Sequence, residues 1–237
     1  MPLRRPNHHA DRSANSPTFA GDGFELVEPV LDDRQCAFLL DRIAGLSLHS
    51  AGSRCLLSFE WCAGLAEQLR KHPELRQLLP RDHVAVQCTL FEKSRDRNWL
   101  VPIHQDLSIP VAEKIDHPDL RGWAVKEGSV FVQPPVAVLE QLVAVRVHLD
   151  SCGESDGPLL VVPGTHRSGR IADDVAVQLR RRIAPFCCTL RGGGALVMHP
   201  LLLHQSSKAT GTSLRRVLHF LFGSKQLPCG LTWNVSV

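Results

Sequence analysis

His104-Gln105-Asp106 and, one hundred residues later, His204-Gln205-Ser206 carry the residue types of a three-ligand metal centre. In an extended strand, side chains two apart point to the same side with their Cα atoms roughly 6.6 Å apart. His104 and Asp106 can therefore converge on one ion while Gln105 turns away. His204 would come from a different strand, and an antiparallel barrel or jelly roll is the architecture that brings strands distant in sequence to one mouth. Two imidazoles and a carboxylate fill half of an octahedron and leave adjacent positions open, the arrangement of non-heme Fe(II) oxygenases. A closed structural site would need a fourth ligand.

The elements that must hold these residues can be read from pattern. The 237-residue chain is long enough for one sizeable core, and residues 22–237 are expected to form a single catalytic domain. Residues 1–21 lack periodicity and are expected to be a disordered tail, with His8 and His9 as tail residues. Asp32 with Gln35 makes a capping box, and Cys36, Leu39, Leu40 and Ile43 follow at helical spacing before Gly45. A second helix is expected over Phe59 to Arg70, and a short one opened by Pro73. The period then changes to two. Val84, Val86, Cys88 and Leu90 alternate with Ala85, Gln87, Thr89 and Phe91. Further strands are expected at Leu142 to Leu149, Leu159 to Val162, Cys187 to Leu190, Ala195 to Met198 and Leu214 to Phe222. Helices first and strands afterwards imply a mainly β core with helical cover. The stretch between Asp106 and Leu142 holds four prolines and is too long for an ordinary connection, so it is either a surface excursion with its own packing or a substrate lid.

Composition excludes several function classes. A formal net charge of +3, with no basic block beyond Arg180-Arg181-Arg182, gives a nucleic-acid surface little support, and those arginines are expected to form a solvated face. Eight cysteines without a C-x-x-C pair argue against a zinc ribbon or a disulfide scaffold and for reduced thiols in a cytoplasm. No apolar run is long enough to span a membrane, and the N-terminus lacks the pattern of a signal peptide.

The chain resembles the phytanoyl-CoA dioxygenase family of Fe(II)/2-oxoglutarate-dependent oxygenases. The resemblance runs from about Gly21 to Phe222. It rests on Gly23-Phe24, His104-Gln105-Asp106, the run Gly157-Pro158-Leu159-Leu160-Val161-Val162-Pro163-Gly164-Thr165-His166, and His204-Gln205-Ser206 with Arg215-Arg216. It implies a double-stranded β-helix (a cupin-like jelly roll) with N-terminal supporting helices, and His104, Asp106 and His204 as metal ligands. It also implies 2-oxoglutarate and dioxygen as cosubstrates. A guanidinium pairs bidentately with a carboxylate, so an inward arginine on the last core strand would hold the distal carboxylate of 2-oxoglutarate. The offset of eleven from His204 matches the family's cosubstrate arginine at Arg215, leaving Arg216 to face outward. Ser206 shares the strand face of His204 and matches the family's serine at that carboxylate. Gln87, Thr89, Asn98 and Trp99 are further candidates for the cavity by strand position.

Position separates the rival histidines. His148-Leu149-Asp150 repeats the i, i+2 spacing but runs into the turn Ser151-Cys152-Gly153, so both are expected to be strand-end residues bonded locally. His166 is expected to bond its turn. His117, His199 and His219 have no spacing partner that completes a triad, although His219 shares the strand face of Arg215. Ile103, Thr165 and Ala209 depart from residues frequent in the family, so acyl-CoA specificity does not carry over.

The expected activity is hydroxylation of a C–H bond in a small molecule, consuming dioxygen and releasing succinate and CO₂. Asp106 favours this outcome, because related halogenating oxygenases have a small residue there and bind halide in its place. The alternatives are a non-catalytic, cupin-like metal- or ligand-binding barrel, and a zinc hydrolase, for which an H-E-x-x-H glutamate is missing.

Overall fold

The computed structural model describes residues 16–46 and 52–237. Its first element, α1 (Phe19–Asp22), begins inside the stretch 1–21 expected to be a disordered tail. The Thr18 hydroxyl accepts from the Gly21 N–H at 3.1 Å, and Phe19 stacks on His199 with ring centroids 4.2 Å apart. Tertiary packing thus holds a turn too short to show a period. Residues 1–15, with His8 and His9, lie outside the described residues.

Strand β1 (Phe24–Val27) leads into α2 (Asp33–Ala44), whose capping box forms as expected: Gln35 N–H donates to Asp32 at 2.8 Å and Asp32 N–H to Gln35 at 2.9 Å. After β2 (Gly52–Ser53), α3 (Glu60–Lys71) buries Cys62, Leu65, Ala66 and Leu69 at helical spacing. The short α4 (Leu75–Leu78) starts two residues beyond Pro73. The remaining elements are β3 (His83–Lys93), β4 (Val101–His104), β5 (Ile109–Val111), β6 (Arg121–Lys126), β7 (Ser129–Gln133), α5 (Val136–Gln141), β8 (Val143–His148), β9 (Leu159–Val161), α6 (Asp173–Arg182), β10 (Phe186–Cys188), β11 (Ala195–Met198), β12 (His204–Ser206) and β13 (Arg215–Ser224).

A six-stranded sheet in the order β1-β11-β8-β13-β3-β2 faces a four-stranded sheet in the order β10-β9-β12-β4, with antiparallel pairing throughout. This is the cupin-like double-stranded β-helix, with helices as minor cover. On the outer face of the large sheet, Val143, Val145, Val147, Val197, Cys88, Leu90, Leu218 and Phe220 join the apolar residues of α2 and α3 in one buried cluster. On the inner face, Arg215 pairs with Lys93, Val217 with Phe91 and His148, and His219 with Thr89 and Arg146. Strict alternation would put Val84, Val86, Cys88 and Leu90 on one side. They are split instead, because Leu221 opposes Gln87 while Phe222 opposes Ala85, which makes Val86 an extra residue. Past this bulge Val84 and Val86 join an inner cluster with Leu221, and Ala85 turns to the helices.

The stretch after Asp106 is not structureless. It builds a three-stranded sheet, β5-β7-β6, whose Ile109, Val111 and Val132 pack with Leu139, Leu201 and Trp233. No helix among the described residues is long and apolar enough to cross a membrane. All eight cysteines are free. Arg181 and Arg182 are exposed at the end of α6, with Arg180 partly buried.

Candidate active site

Strand β12 lies between β9 and β4, and its register sets His204 directly opposite His104. The two rings are 4.2 Å apart between centroids. Each histidine places Nδ1 2.8 Å from the carbonyl two residues earlier, Pro102 for His104 and Leu202 for His204. A carbonyl can only accept, so each Nδ1 carries the hydrogen and each Nε2 keeps its lone pair free. Those lone-pair nitrogens face Asp106: Nε2 of His104 is 3.7 Å from one carboxylate oxygen and Nε2 of His204 is 3.6 Å from the other. The three donors all lie within 4.8 Å of one another.

Asp106 reaches this position differently from the sequence expectation. Strand β4 ends at His104, so the two candidate ligands do not share a strand. The chain turns, the Asp106 N–H donates to Pro200 O at 2.9 Å, and Gln105 anchors the turn from inside. Its Nε2 donates to Gly169 O at 2.8 Å and Leu201 O at 2.6 Å, while its Oε1 accepts from the Ile171 N–H at 2.8 Å. Burial works to raise the Asp106 carboxyl, but the neighbouring His204 and His104 imidazoles outweigh it and hold the group well below the usual carboxylate range. Burial pushes His204 down to about 4 against the pull of Asp106. The site therefore offers a carboxylate and a neutral His204 imidazole at neutral pH, the donor set a divalent transition metal takes.

At the start of β13, Arg215 faces inward and is 3% exposed. Its Nη1 donates to Gly157 O, and its buried Nε has no partner. Ser206 Oγ donates to the same carbonyl at 2.9 Å and accepts from Lys93 Nζ at 2.6 Å. Gly157 must be glycine here. Its φ is +64°, and a Cβ would sit 2.7 Å from Ser207 O and 3.1 Å from Ala209 N. Arg216 points to the other face, where Nε and Nη2 each meet an Asp150 carboxylate oxygen at 2.7 Å.

A cavity of about 330 Å³ opens beside the three donors, lined among others by Gln87, Thr89, Phe131, Lys126 and His219. Gln87 and Thr89 are thus at the cavity, joined by a 2.8 Å hydrogen bond. Asn98 is not among the lining residues. It sits in a loop rather than a strand, and its amide both donates to Ala209 O and accepts from Ala209 N–H at 2.8 Å. Trp99, in the same loop, lies against Lys93 with the ammonium 5.4 Å from the ring centroid.

Two buried cations on the inner face were missed by sequence reasoning, Lys93 and Arg146. The period that places Gln87, Thr89 and Phe91 inward continues to Lys93, and that was the available signal. Burial and the neighbouring Arg215 push Lys93 down to about 8. His148 and Asp150 separate: His148 is buried with Nδ1 unpartnered, and Asp150 pairs with Arg216. His166 stacks on His199 at 4.8 Å, with no bond to its buried Nδ1. His117 does meet partners, Asp119 and the sequence-distant Cys229, with donors within 4.8 Å. Its Nδ1 already accepts the Asp119 N–H at 3.2 Å.

A family model described as phytanoyl-CoA dioxygenase (PhyH) matches residues 19–217. No curated protein matches the sequence. Among solved structures, HygX from Streptomyces hygroscopicus with nickel and 2-oxoglutarate bound superposes with a TM-score of 0.62 at 14% identity, covering 91% of this chain and 86% of that one. The non-heme alpha-ketoglutarate-dependent epimerase SnoN from nogalamycin biosynthesis gives 0.62 at 14% identity, over 90% and 87%. EctD from S. alaskensis in its apoform gives 0.62 at 15%, over 94% and 83%.

Proposed function

Because the chain belongs to the phytanoyl-CoA dioxygenase family, whose model spans residues 19–217, we propose that it is an Fe(II)/2-oxoglutarate-dependent oxygenase that hydroxylates a C–H bond of a small molecule. The observation that carries this reading is the convergence of two Nε2 lone pairs and one carboxylate on a single point beside an open cavity. His104, Asp106 and His204 would hold the iron, which supplies dioxygen activation coupled to decarboxylation of 2-oxoglutarate to succinate and CO₂.

The protein's part is orientation. The carbonyls of Pro102 and Leu202 lock both imidazoles in the tautomer that ligates. Arg215, with its unpartnered buried Nε, and Ser206 form the cationic, hydrogen-bonding end that suits the distal carboxylate. Gln87, Thr89 and His219 face the cavity where the substrate would lie. A small-molecule substrate is in keeping with fold neighbours: HygX is known with hygromycin B bound and SnoN with nogalamycin RO.

Succinate release on mixing protein, Fe(II), 2-oxoglutarate and air tests the reading. The expected result is release that requires all four and disappears in Asp106→Ala, with metal binding weakened in the same variant. Full turnover in Asp106→Ala would move the site elsewhere.

A further inference from the structure

Arg146 is 7% exposed, in the middle of β8, and points into the barrel. Its Nη1 donates to His219 Nδ1 at 3.0 Å, its guanidinium lies 5.3 Å from the Phe91 ring centroid, and its buried Nε has no partner. Among the described residues no carboxylate lies within ion-pair distance of Arg146, Lys93 or Arg215. An unpaired buried guanidinium costs several kcal/mol. The neighbouring Arg216, which has only to hold a strand in place, is by contrast matched bidentately by Asp150.

Position indicates what Arg146 is for. It shares a cross-strand row with His219 and Thr89, both of which line the cavity beside His104 and Asp106. Arg215 lies on the same inner face two rows further, roughly 13 Å along the strand direction. Both side chains thus rise from one inner face, Arg146 in the row of the cavity-lining His219 and Thr89 and Arg215 at the Ser206 end, an arrangement that suits an extended molecule with a negative charge at each end.

We propose that Arg146 is a second cationic anchor for 2-oxoglutarate, holding its 2-oxo-acid end while Arg215 takes the distal carboxylate. The inference rests on the oxygenase reading above. It assigns to this chain a binding residue that the ligand triad and the terminal arginine do not include. A guanidinium is suited to the task because it stays protonated even when burial and Arg215 push it down to about 10.

The test uses full-length, nickel-loaded protein without oxygen and titrates 2-oxoglutarate, with oxalate as a probe that has the chelating end but no distal carboxylate. Arg146→Met should weaken both ligands at least about tenfold. Arg215→Met should weaken 2-oxoglutarate and leave oxalate unchanged. Arg146→Lys should recover part of the loss. A merely structural Arg146 would lower thermal stability when replaced, whereas here the ligand-free Arg146→Met protein should melt at the wild-type temperature or above it. Unchanged 2-oxoglutarate affinity in a folded Arg146→Met protein overturns the proposal, and weakening of 2-oxoglutarate without oxalate overturns the assignment to the 2-oxo-acid end. Wild-type protein that bound no 2-oxoglutarate would remove the oxygenase reading itself.

Discussion

A backbone carbonyl two residues back decides what each proposed ligand histidine can do. Pro102 and Leu202 each take the Nδ1 hydrogen at 2.8 Å, and the only nitrogen left for a metal is the one that faces Asp106. The same economy separates the adjacent arginines: Arg215 keeps an unpartnered donor inside, and Arg216 is fully engaged with Asp150 outside. Arg215→Gln should therefore raise KM for 2-oxoglutarate roughly 10- to 100-fold, from the loss of a charge-assisted contact of about 1.5–3 kcal/mol. Arg216→Gln should leave that KM unchanged and cost about 1 kcal/mol of stability in urea unfolding. Steady-state kinetics of both variants check the pair, and the reverse ordering would exchange the roles of the two arginines.

At the scale of elements, the turn after β4 is the piece on which the proposed metal centre depends. Gln105 lies between two ligands and points away from them, yet its amide ties three backbone groups, at Gly169, Leu201 and Ile171, to the turn that presents Asp106. Gln105→Leu would strand those groups. The expected cost is about 2–4 kcal/mol of unfolding free energy, with metal affinity weakened about 10- to 100-fold as Asp106 loses its support. Urea unfolding and metal titration read the two effects separately; a stable protein with wild-type metal affinity would mean that Pro200, which accepts the Asp106 N–H, suffices. The bulge at Val86 is a second device of this kind. It shifts the alternation of β3 by one residue, so that Gln87 and Thr89 lie at the cavity while Val84 and Val86 close the barrel behind them.

At the scale of the whole molecule, the buried His148 and His219 are held neutral, and that has a consequence for pH. Burial, with Arg146 and Arg215 close by, pushes His148 down to about 3, and burial with Arg146 does the same to His219. In the unfolded chain these groups protonate near 6.5. The unfolded state therefore binds more protons below that pH, so stability is full above about 6.5 and falls as the pH drops toward 3. Each such group adds a slope of up to about 1.4 kcal/mol per pH unit in that window. Urea unfolding of the metal-free protein between pH 7.5 and 4.5 should show this decline, and His148→Leu should flatten it. An unaltered slope in that variant would mean that other groups set the acid limit.

Residue type and local period, properties of the chain alone, already determined a good deal about this protein. The Asp32 capping box, the helical spacing of Cys36, Leu39 and Ile43, and the period-two run into β3 are legible because each depends on neighbours within a few residues. So is the choice of His104, Asp106 and His204 as candidate donors, since ligand chemistry belongs to the side chain. Other features required the folded molecule. Whether His104 and Asp106 share a strand depended on where β12 stops pairing with β4, and whether Asn98 reaches the cavity depended on Ala209, more than a hundred residues away. The lobe formed by β5, β6 and β7 hides behind short strands and prolines, and its core is completed by Leu201 and Trp233 from far along the chain. Arg146 reads as one more residue in a strand until the sheets close over it. Burial and the absence of a counter-ion are properties of the space around a side chain, and only tertiary packing creates that space.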